Sequence, residues 1–388
     1  MSTWLPPYDR LDPGQKAWIN APLDSNKWLV GYPGSGKSVL LIYKAQKVLN
    51  ENRGQSAAFV VFTHSLGDLF RTAIKDLNDP LLNNTPVMTQ FELFRGDNYY
   101  DYIFCDEVQD LSPEALTKVK YHARRKVLVA GDANQSIYAE DPRTGERTVL
   151  PNEPGEILQA EKTELNIIYR LTKSIISAVK KLLPSMANNW TGKNDISKQD
   201  VSIRLRKMLN IKEECKFIYD DVKKCCSARE RTAILLSGSK DIVKFANTVL
   251  SVNGKPEWET VTNSYGKTDY NALNSHFRQN GIKLMCVGNG YGSLEAAGRN
   301  NYGIIMTYFS AKGLDFENVY IPFVNQDLFI TFDDDRSRTV FMVAMSRSSK
   351  NLTFSHTNGL SEYVRPFQSE CTVIDMTRST NDDDDDIF

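Results

Sequence analysis

The stretch Gly31-Tyr32-Pro33-Gly34-Ser35-Gly36-Lys37-Ser38 separates an apolar run, Lys27 to Tyr32, from a segment of helical spacing, Ser38 to Asn50. A strand that feeds through a glycine turn straight into a helix rejoins its sheet by a crossover, so its neighbours run parallel to it. The turn also brings chemistry. Gly31, Gly34, Ser35 and Gly36 let successive backbone N–H groups curl around phosphate oxygens, and the helix N-terminus adds positive potential. Lys37 reaches the outer phosphates, and the Ser38 hydroxyl is a ligand for Mg²⁺.

The rest of the chain repeats this architecture. Short runs rich in Val, Ile and Phe recur at 57–64, 101–105, 126–131, 232–237, 282–288, 303–307 and 319–323. Their apolar character is continuous, as in strands covered on both faces. Between them lie helical patterns at 66–77, 113–123, 171–183 and 240–252, the second opened by the N-cap, N1 proline and first-turn acid Ser112-Pro113-Glu114. Alternating strands and helices predict α/β lobes built on mainly parallel sheets. The strands fall into two groups around a linker-like segment, Glu140 to Glu164, crowded with Pro142, Gly145, Pro151, Pro154 and Gly155. The expected division is a first lobe over 1–160, a second over 161–375 and a disordered acidic tail over 376–388. Pro184 to Glu230 shows no clear pattern.

Composition narrows the class. Hydrophobic residues at 41% and charged residues at 24% exclude a disordered chain. The net charge is −1, but setting aside Asp382 to Asp386 leaves 47 basic against 43 acidic groups, a mildly basic body with an acidic tail. No apolar run approaches the ~18 residues of a membrane span, and the first residues lack a signal-peptide pattern, so a cytoplasmic protein is expected. Six cysteines without C-x-x-C spacing and only four histidines predict reduced, partly buried thiols and not a zinc or disulfide framework.

A second chemical element follows the third apolar run, Ile103-Phe104-Cys105-Asp106-Glu107-Val108-Gln109-Asp110. Two adjacent carboxylates at the C-terminal edge of a sheet suit nucleotide hydrolysis: Asp106 holds Mg²⁺ through water, and Glu107 polarises the attacking water. The next strand exits into Gly131-Asp132-Ala133-Asn134-Gln135-Ser136-Ile137-Tyr138, where Gln135 can contact a γ-phosphate and report it to the neighbouring lobe.

Further segments follow in a fixed order: Leu11-Asp12-Pro13-Gly14-Gln15, Phe62-Thr63-His64, Thr89-Gln90-Phe91-Glu92-Leu93, Asn166-Ile167-Ile168-Tyr169-Arg170, Ser310-Ala311-Lys312-Gly313-Leu314-Asp315-Phe316 and Val343-Ala344-Met345-Ser346-Arg347. With the phosphate loop and the acid pair, the set resembles superfamily 1 DNA helicases of the UvrD/Rep type. The resemblance implies two tandem RecA-like P-loop NTPase lobes that share one ATP·Mg²⁺ site. It implies that Gln15 faces the adenine edge, that Tyr169 stacks on the base and that Arg170 contacts the γ-phosphate. Gly313 and Asp315 belong to the motif whose acid holds the ribose, and Arg347 is the arginine finger. Phe62, Thr63, His64, Thr89, Tyr138 and Phe309 fall on positions that touch single-stranded DNA.

The chain departs from that pattern in four ways. Only Arg95 to Tyr100 separate the Thr89 motif from the strand leading to Asp106, so the first inserted subdomain of the family is absent. The interval between Arg170 and Lys312 is about what the second lobe itself needs. Glu140 stands where a base-stacking tryptophan is common, and Phe309 where histidine is common. Basic clusters at Lys118, Lys120, Arg124, Arg125 and Lys126, and at Arg204, Arg206 and Lys207, are candidates for backbone contacts.

The expected function is ATP-dependent 3′ to 5′ translocation on single-stranded DNA, or RNA in its place, by a monomeric helicase of replication, repair or recombination. The alternative is a nucleotide-dependent binding switch that remodels a partner without processive unwinding. The tail Asp382–Phe388 resembles the C-terminal tip of bacterial single-stranded-DNA-binding proteins, which docks on partner proteins. A plain acidic solubility tail, or one that folds back on the strand-binding groove, are the other readings.

Overall fold

The computed structural model describes residues 4–132, 140, 145–169, 171–184, 193–194, 200–331 and 333–377. Strands β1 (Lys27–Gly31), β2 (Ala57–Val61), β3 (Val87–Thr89), β4 (Tyr100–Cys105), β5 (Ala123–Gly131) and β6 (Glu161–Leu165) form a first sheet ordered β3-β2-β4-β5-β1-β6. Every pairing in it is parallel. Successive strand residues point to opposite faces, and both faces are covered. Phe59, Val61, Phe104, Leu128 and Ala130 meet the helices Lys37–Glu51 and His64–Leu77. Val60, Ile103, Cys105, Val127 and Val129 pack with Leu116 and Val119 of the helix Pro113–Tyr121. Continuous rather than alternating apolar runs are the consequence, as the sequence predicts.

After the short parallel pair β7 (Ile167–Ile168) and β8 (Lys193–Asn194), a second sheet repeats the plan. It contains β9 (Ser202–Lys207), β10 (Thr232–Leu236), β11 (Leu284–Cys286), β12 (Gly303–Thr307), β13 (Phe316–Ile321), β14 (Ser348–His356) and β15 (Thr372–Asp375). Their order is β11-β12-β10-β13-β14-β9-β15, again all parallel. The architecture is therefore two α/β lobes of the tandem RecA-like kind. One apolar cluster runs unbroken from Leu40 and Phe70 in the first lobe to Tyr308 and Phe341 in the second. The lobes also meet where Leu294 N donates to Asp68 Oδ2 at 2.6 Å and Lys75 pairs with Glu295 at 2.8 Å. Among the described residues, no helix is long and apolar enough to cross a membrane.

Two expectations change. The first lobe does not end at residue 160: β6 pairs with β1 from Lys27↔Glu161 to Gly31↔Leu165. Its sequence, Glu-Lys-Thr-Glu-Leu, is polar because it is an edge strand with mostly exposed positions, anchored by the Lys27–Glu161 ion pair at 2.7 Å. The unread stretch from Pro184 to Glu230 holds β9 and a long helix, Ile211–Ser227, capped by Asn210, whose side chain accepts from Glu213 N. The helix escapes notice because its buried face mixes Cys215, Ile218, Tyr219, Val222 and Cys226 with Glu214.

Glu214 is fully buried, and its Oε1 accepts from Phe323 N at 3.0 Å and from Ser355 Oγ at 2.6 Å. It thereby fastens a backbone turn where Phe323 adopts φ +60°. Burial raises its carboxyl above the ordinary 4.5. The folded state then holds the proton to higher pH than the unfolded chain, so this group's contribution is full below about 4.5 and is lost as pH rises through the folded value. Glu214→Gln keeps an acceptor oxygen and does not titrate. The melting temperature of the variant minus that of the wild type should therefore increase between about pH 4 and about pH 8, and a difference independent of pH would refute the assignment.

Candidate active site

Because all strands of each lobe run parallel, their C-terminal ends share one edge, and the loops leaving that edge build the site. β1 ends at Gly31, Gly34 and Gly36 take φ of +73° and +91°, and the helix begins at Lys37. Two of these glycines are required by close approach. A Cβ on Gly31 would lie 2.5 Å from Ser35 Oγ, and one on Gly36 would lie 2.8 Å from Gln15 Nε2. The Lys37 ammonium is held at the mouth of the loop, donating to the carbonyls of Gly31 at 2.8 Å and Tyr32 at 3.1 Å. Ser35 Oγ is buried with no hydrogen-bond partner among the described residues.

β4 delivers the carboxylates. Ser38 Oγ donates to Asp106 Oδ2, and Glu107 N donates to Asp106 Oδ1 at 2.9 Å. Glu107 adopts φ +55°, a left-handed conformation that costs of order 1–3 kcal/mol in a non-glycine residue. That strain turns its carboxylate toward the cleft, where Gln109 Nε2 donates to it and Lys312 Nζ lies 3.8 Å away. Burial, and next the neighbouring Glu107 charge, push Asp106 up to about 7. Burial alone would raise Glu107 as well, but the charges of Lys312 and Lys37 and the bond from Gln109 hold it below the usual carboxylate range. The pair divides labour: Glu107 stays ionised, while Asp106 beside the Ser38 hydroxyl is a buried acid in want of a cation. This hydroxyl and carboxylate fit Mg²⁺, which binds through one or two carboxylates plus phosphate oxygens and water.

The second lobe closes the site. A cleft of about 510 Å³ is lined by Lys37, Ser38 and Glu107 on one side and by Gly313, Asp315 and Arg347 on the other. The Arg347 side chain is 1% exposed. Its Nε donates to Val343 O at 2.7 Å, Nη1 to Leu314 O at 3.2 Å and Nη2 to Ser346 Oγ at 2.8 Å. Those bonds fix a permanent positive charge at the cleft wall, where it too lowers Glu107.

Gln15 and Tyr169 also line this cleft. Gln15 is tied to the loop itself, since Nε2 donates to Ser35 O at 3.2 Å and Oε1 accepts from Asp12 N at 3.1 Å in a capping box. Tyr169 N donates to Gly34 O at 3.0 Å, and its hydroxyl donates to Asp12. In this state both residues brace the phosphate loop. Gln135, Tyr138, Arg170 and the tail Asp382–Phe388 lie outside the described residues.

The strand-contact candidates sit at the C-terminal ends of β2, β3 and β12. Thr63 caps the helix His64–Leu77, accepting from Leu66 N at 3.1 Å. Thr89 is buried in a capping box with Glu92, and Phe62 and His64 are half-buried. Phe309 is half-buried with the Arg336 guanidinium 5.9 Å from its ring centre.

Three cleft residues have no motif behind them. Trp4 N donates to Asp76 Oδ2 at 3.0 Å, while its ring stacks on the Arg231 guanidinium at 4.6 Å and meets Phe316 edge-on. Arg231 Nη2 lies 3.6 Å from Asp315 Oδ2, and Arg10 also lines the cleft.

Residues 68–139 match the UvrD/REP helicase N-terminal domain family. The match spans the carboxylates and reaches past Gln135, so that part of the first lobe is similar to this family. No curated protein sequence matches the chain. Among solved structures, the C-terminal domain of a possible DNA helicase from Lactobacillus plantarum WCFS1 is similar at 18% identity and a TM-score of 0.35, covering 53% of this chain and 98% of that one.

Gly36→Ala tests the cradle. Its Cβ would force a left-handed non-glycine, costing about 1–2 kcal/mol, and would displace Gln15. Titration with a fluorescent ATP analogue should show binding weakened by about tenfold or more, and unchanged affinity would exclude this loop as the phosphate site.

Proposed function

We propose that this chain is an ATP-hydrolysing motor of the superfamily 1 DNA helicase kind, moving 3′ to 5′ on single-stranded DNA. One observation carries the reading: the phosphate loop and Glu107 of one lobe face Gly313, Asp315 and Arg347 of the other across a single cleft. In this site Lys37 leaves its loop carbonyls for the outer phosphate oxygens. Ser38 and Asp106 would hold Mg²⁺, which when bound would neutralise phosphate charge. Glu107 accepts the proton of the water that attacks the γ-phosphorus as the bond to the bridging oxygen breaks and ADP leaves. Arg347 stabilises the negative charge that develops on the transferred group from across the cleft.

A site split between lobes makes chemistry and closure interdependent. Nucleotide draws Lys37 and Arg347 toward one set of oxygens, and hydrolysis removes that attraction. If Phe62 to His64 in one lobe and Phe309 in the other grip the strand unequally in the two states, each cycle advances the chain. The absent inserted subdomains and Glu140 favour a second reading, a nucleotide-dependent clamp that closes on nucleic acid without net movement.

Hydrolysis rates with and without oligo-dT, followed by streptavidin displacement from either end of biotinylated oligonucleotides, separate the two. Stimulated hydrolysis with displacement from one end only supports the motor, and stimulation without displacement supports the clamp. Lys37→Ala should lower the hydrolysis rate by roughly a hundredfold or more, and an intact rate would overturn the site.

A further inference from the structure

We infer that a second cavity, formed between the lobes behind the Trp4–Arg231 stack, is a binding site for a small planar anion. The cavity measures about 350 Å³, within the range of small-molecule sites, and it lies at a domain interface, where such sites concentrate. Trp4 and Arg231 line it as well as the nucleotide cleft, so the indole and the guanidinium stacked on it at 4.6 Å form the partition between the two spaces. The first lobe supplies Thr72, Lys75 and Asp76 from the helix His64–Leu77. The second supplies residues 229–232 and one side of the helix Leu294–Asn300.

The walls combine an apolar floor with a cationic rim. Leu294, Ala297 and Ile304 are buried beneath the cavity, and the Trp4 ring stands at one side. Lys75, Arg229, Arg231 and Arg299 share the lining with three acids, Asp76, Glu230 and Glu295. Each acid is already engaged. Asp76 accepts from Trp4 N, Glu230 accepts from Asn318 Nδ2 at 2.8 Å and pairs with Lys350, and Glu295 is shared by Lys75 and Arg299. The other two cations are less well matched. Arg231 Nε is buried with no hydrogen-bond partner among the described residues, and the carboxylates nearest its guanidinium, on Asp315 and Glu317, stand 3.6 and 3.9 Å away. Among the described residues the Arg229 guanidinium has no hydrogen bond or ion pair. A buried donor without an acceptor carries a cost that an anion in the cavity would remove.

Arg229 points the same way by its backbone. It follows the helix Ile211–Ser227 at φ +63°, with its N–H bonded to Cys226 O at 2.9 Å. Glycine is the usual residue at such a helix end, because it has no Cβ to strain. Arginine in its place holds a guanidinium at the exposed rim of the cavity against a conformational cost. Indole and guanidinium surfaces stack on flat π systems, and the guanidinium fork matches the oxygens of an anionic head. The occupant these groups select is an aromatic ring bearing a carboxylate, sulfonate or phosphate. Because both lobes build the walls, it favours this separation of the lobes over others. On the ATPase reading above, on which this consequence rests, it slows a cycle that needs the lobes to move.

The probe is anilinonaphthalene sulfonate, an aromatic sulfonate whose fluorescence rises in apolar surroundings. It is titrated into the full chain, Gly298→Phe and Arg229→Gly, with circular dichroism to check the fold. A Cβ on Gly298 would meet no atom within 4 Å, so Gly298→Phe sends a ring into the open space of the cavity without displacing a neighbour. Arg229→Gly removes the guanidinium at a φ that glycine adopts freely, so weaker binding there is not a loss of fold. The wild type should bind one dye saturably. Affinity should fall about tenfold or more in Gly298→Phe and about fivefold or more in Arg229→Gly. Saturating dye should slow ATP hydrolysis by the wild type about threefold or more and leave the rate of Gly298→Phe unaltered at the same concentration.

Affinity unchanged in Gly298→Phe would put the dye elsewhere on the molecule, the nucleotide cleft included, and overturn the inference. Affinity unchanged in Arg229→Gly would leave an apolar pocket with no anion site and overturn it equally. Dye bound here with no effect on the hydrolysis rate overturns the restraint on the lobes alone. A chain that binds the dye here and hydrolyses no ATP overturns the ATPase reading and leaves the site standing.

Discussion

The position of β1 governs the molecule. It lies between β5 and β6, paired in parallel with both, so the peptide that leaves its C-terminal end emerges beside the end of β5, one strand away from β4. A parallel strand cannot turn back on itself and must cross over through a helix, which is why Lys37–Glu51 begins at the phosphate loop and points its N-terminal amides at the cleft. Every later element of the site is placed with respect to that edge. The acids arrive on β4, and the second lobe is positioned by an apolar cluster continuous with the core of the first.

Charge then decides what the edge can do. Asp106, Glu107 and Asp110 bring three buried carboxylates within a few residues. Such a group is tolerated only with cations close by, and Lys37, Lys312 and Arg347 supply them from both lobes. Removing one lobe would leave the other's charges uncompensated, so the electrostatics that prepare the site also hold the lobes together. The result is a fold in which the cleft and the interface share the same residues.

Several contributors were invisible in the chain because no local pattern marks them. Trp4 and Arg231 are far apart in sequence, and only the approach of the lobes stacks them. Lys44 looks like a polar residue on an amphipathic helix. Its ammonium is buried instead, donating to Ile19 O at 3.0 Å at the end of the helix that carries Gln15, and burial pushes its pKa down to about 8. Lys312 sat inside a motif noted for Asp315, yet nothing in its neighbours says that it reaches Asp110.

What the chain determined by itself was local and periodic: eight apolar runs that became strands, the glycine turn into a helix, and the paired acids at a strand end. These follow from nearest-neighbour sterics and from burial on two faces, which leave a mark in any window of a few residues. The tertiary structure alone decided that polar Glu161–Leu165 completes the first sheet, that a helix with Glu214 on its buried face supports the second, and that Gln15 braces the loop. It also decided which cation meets which acid across the cleft. Partners of that kind are chosen by distance in space, over separations such as that between Asp110 and Lys312, and no short-range rule encodes them.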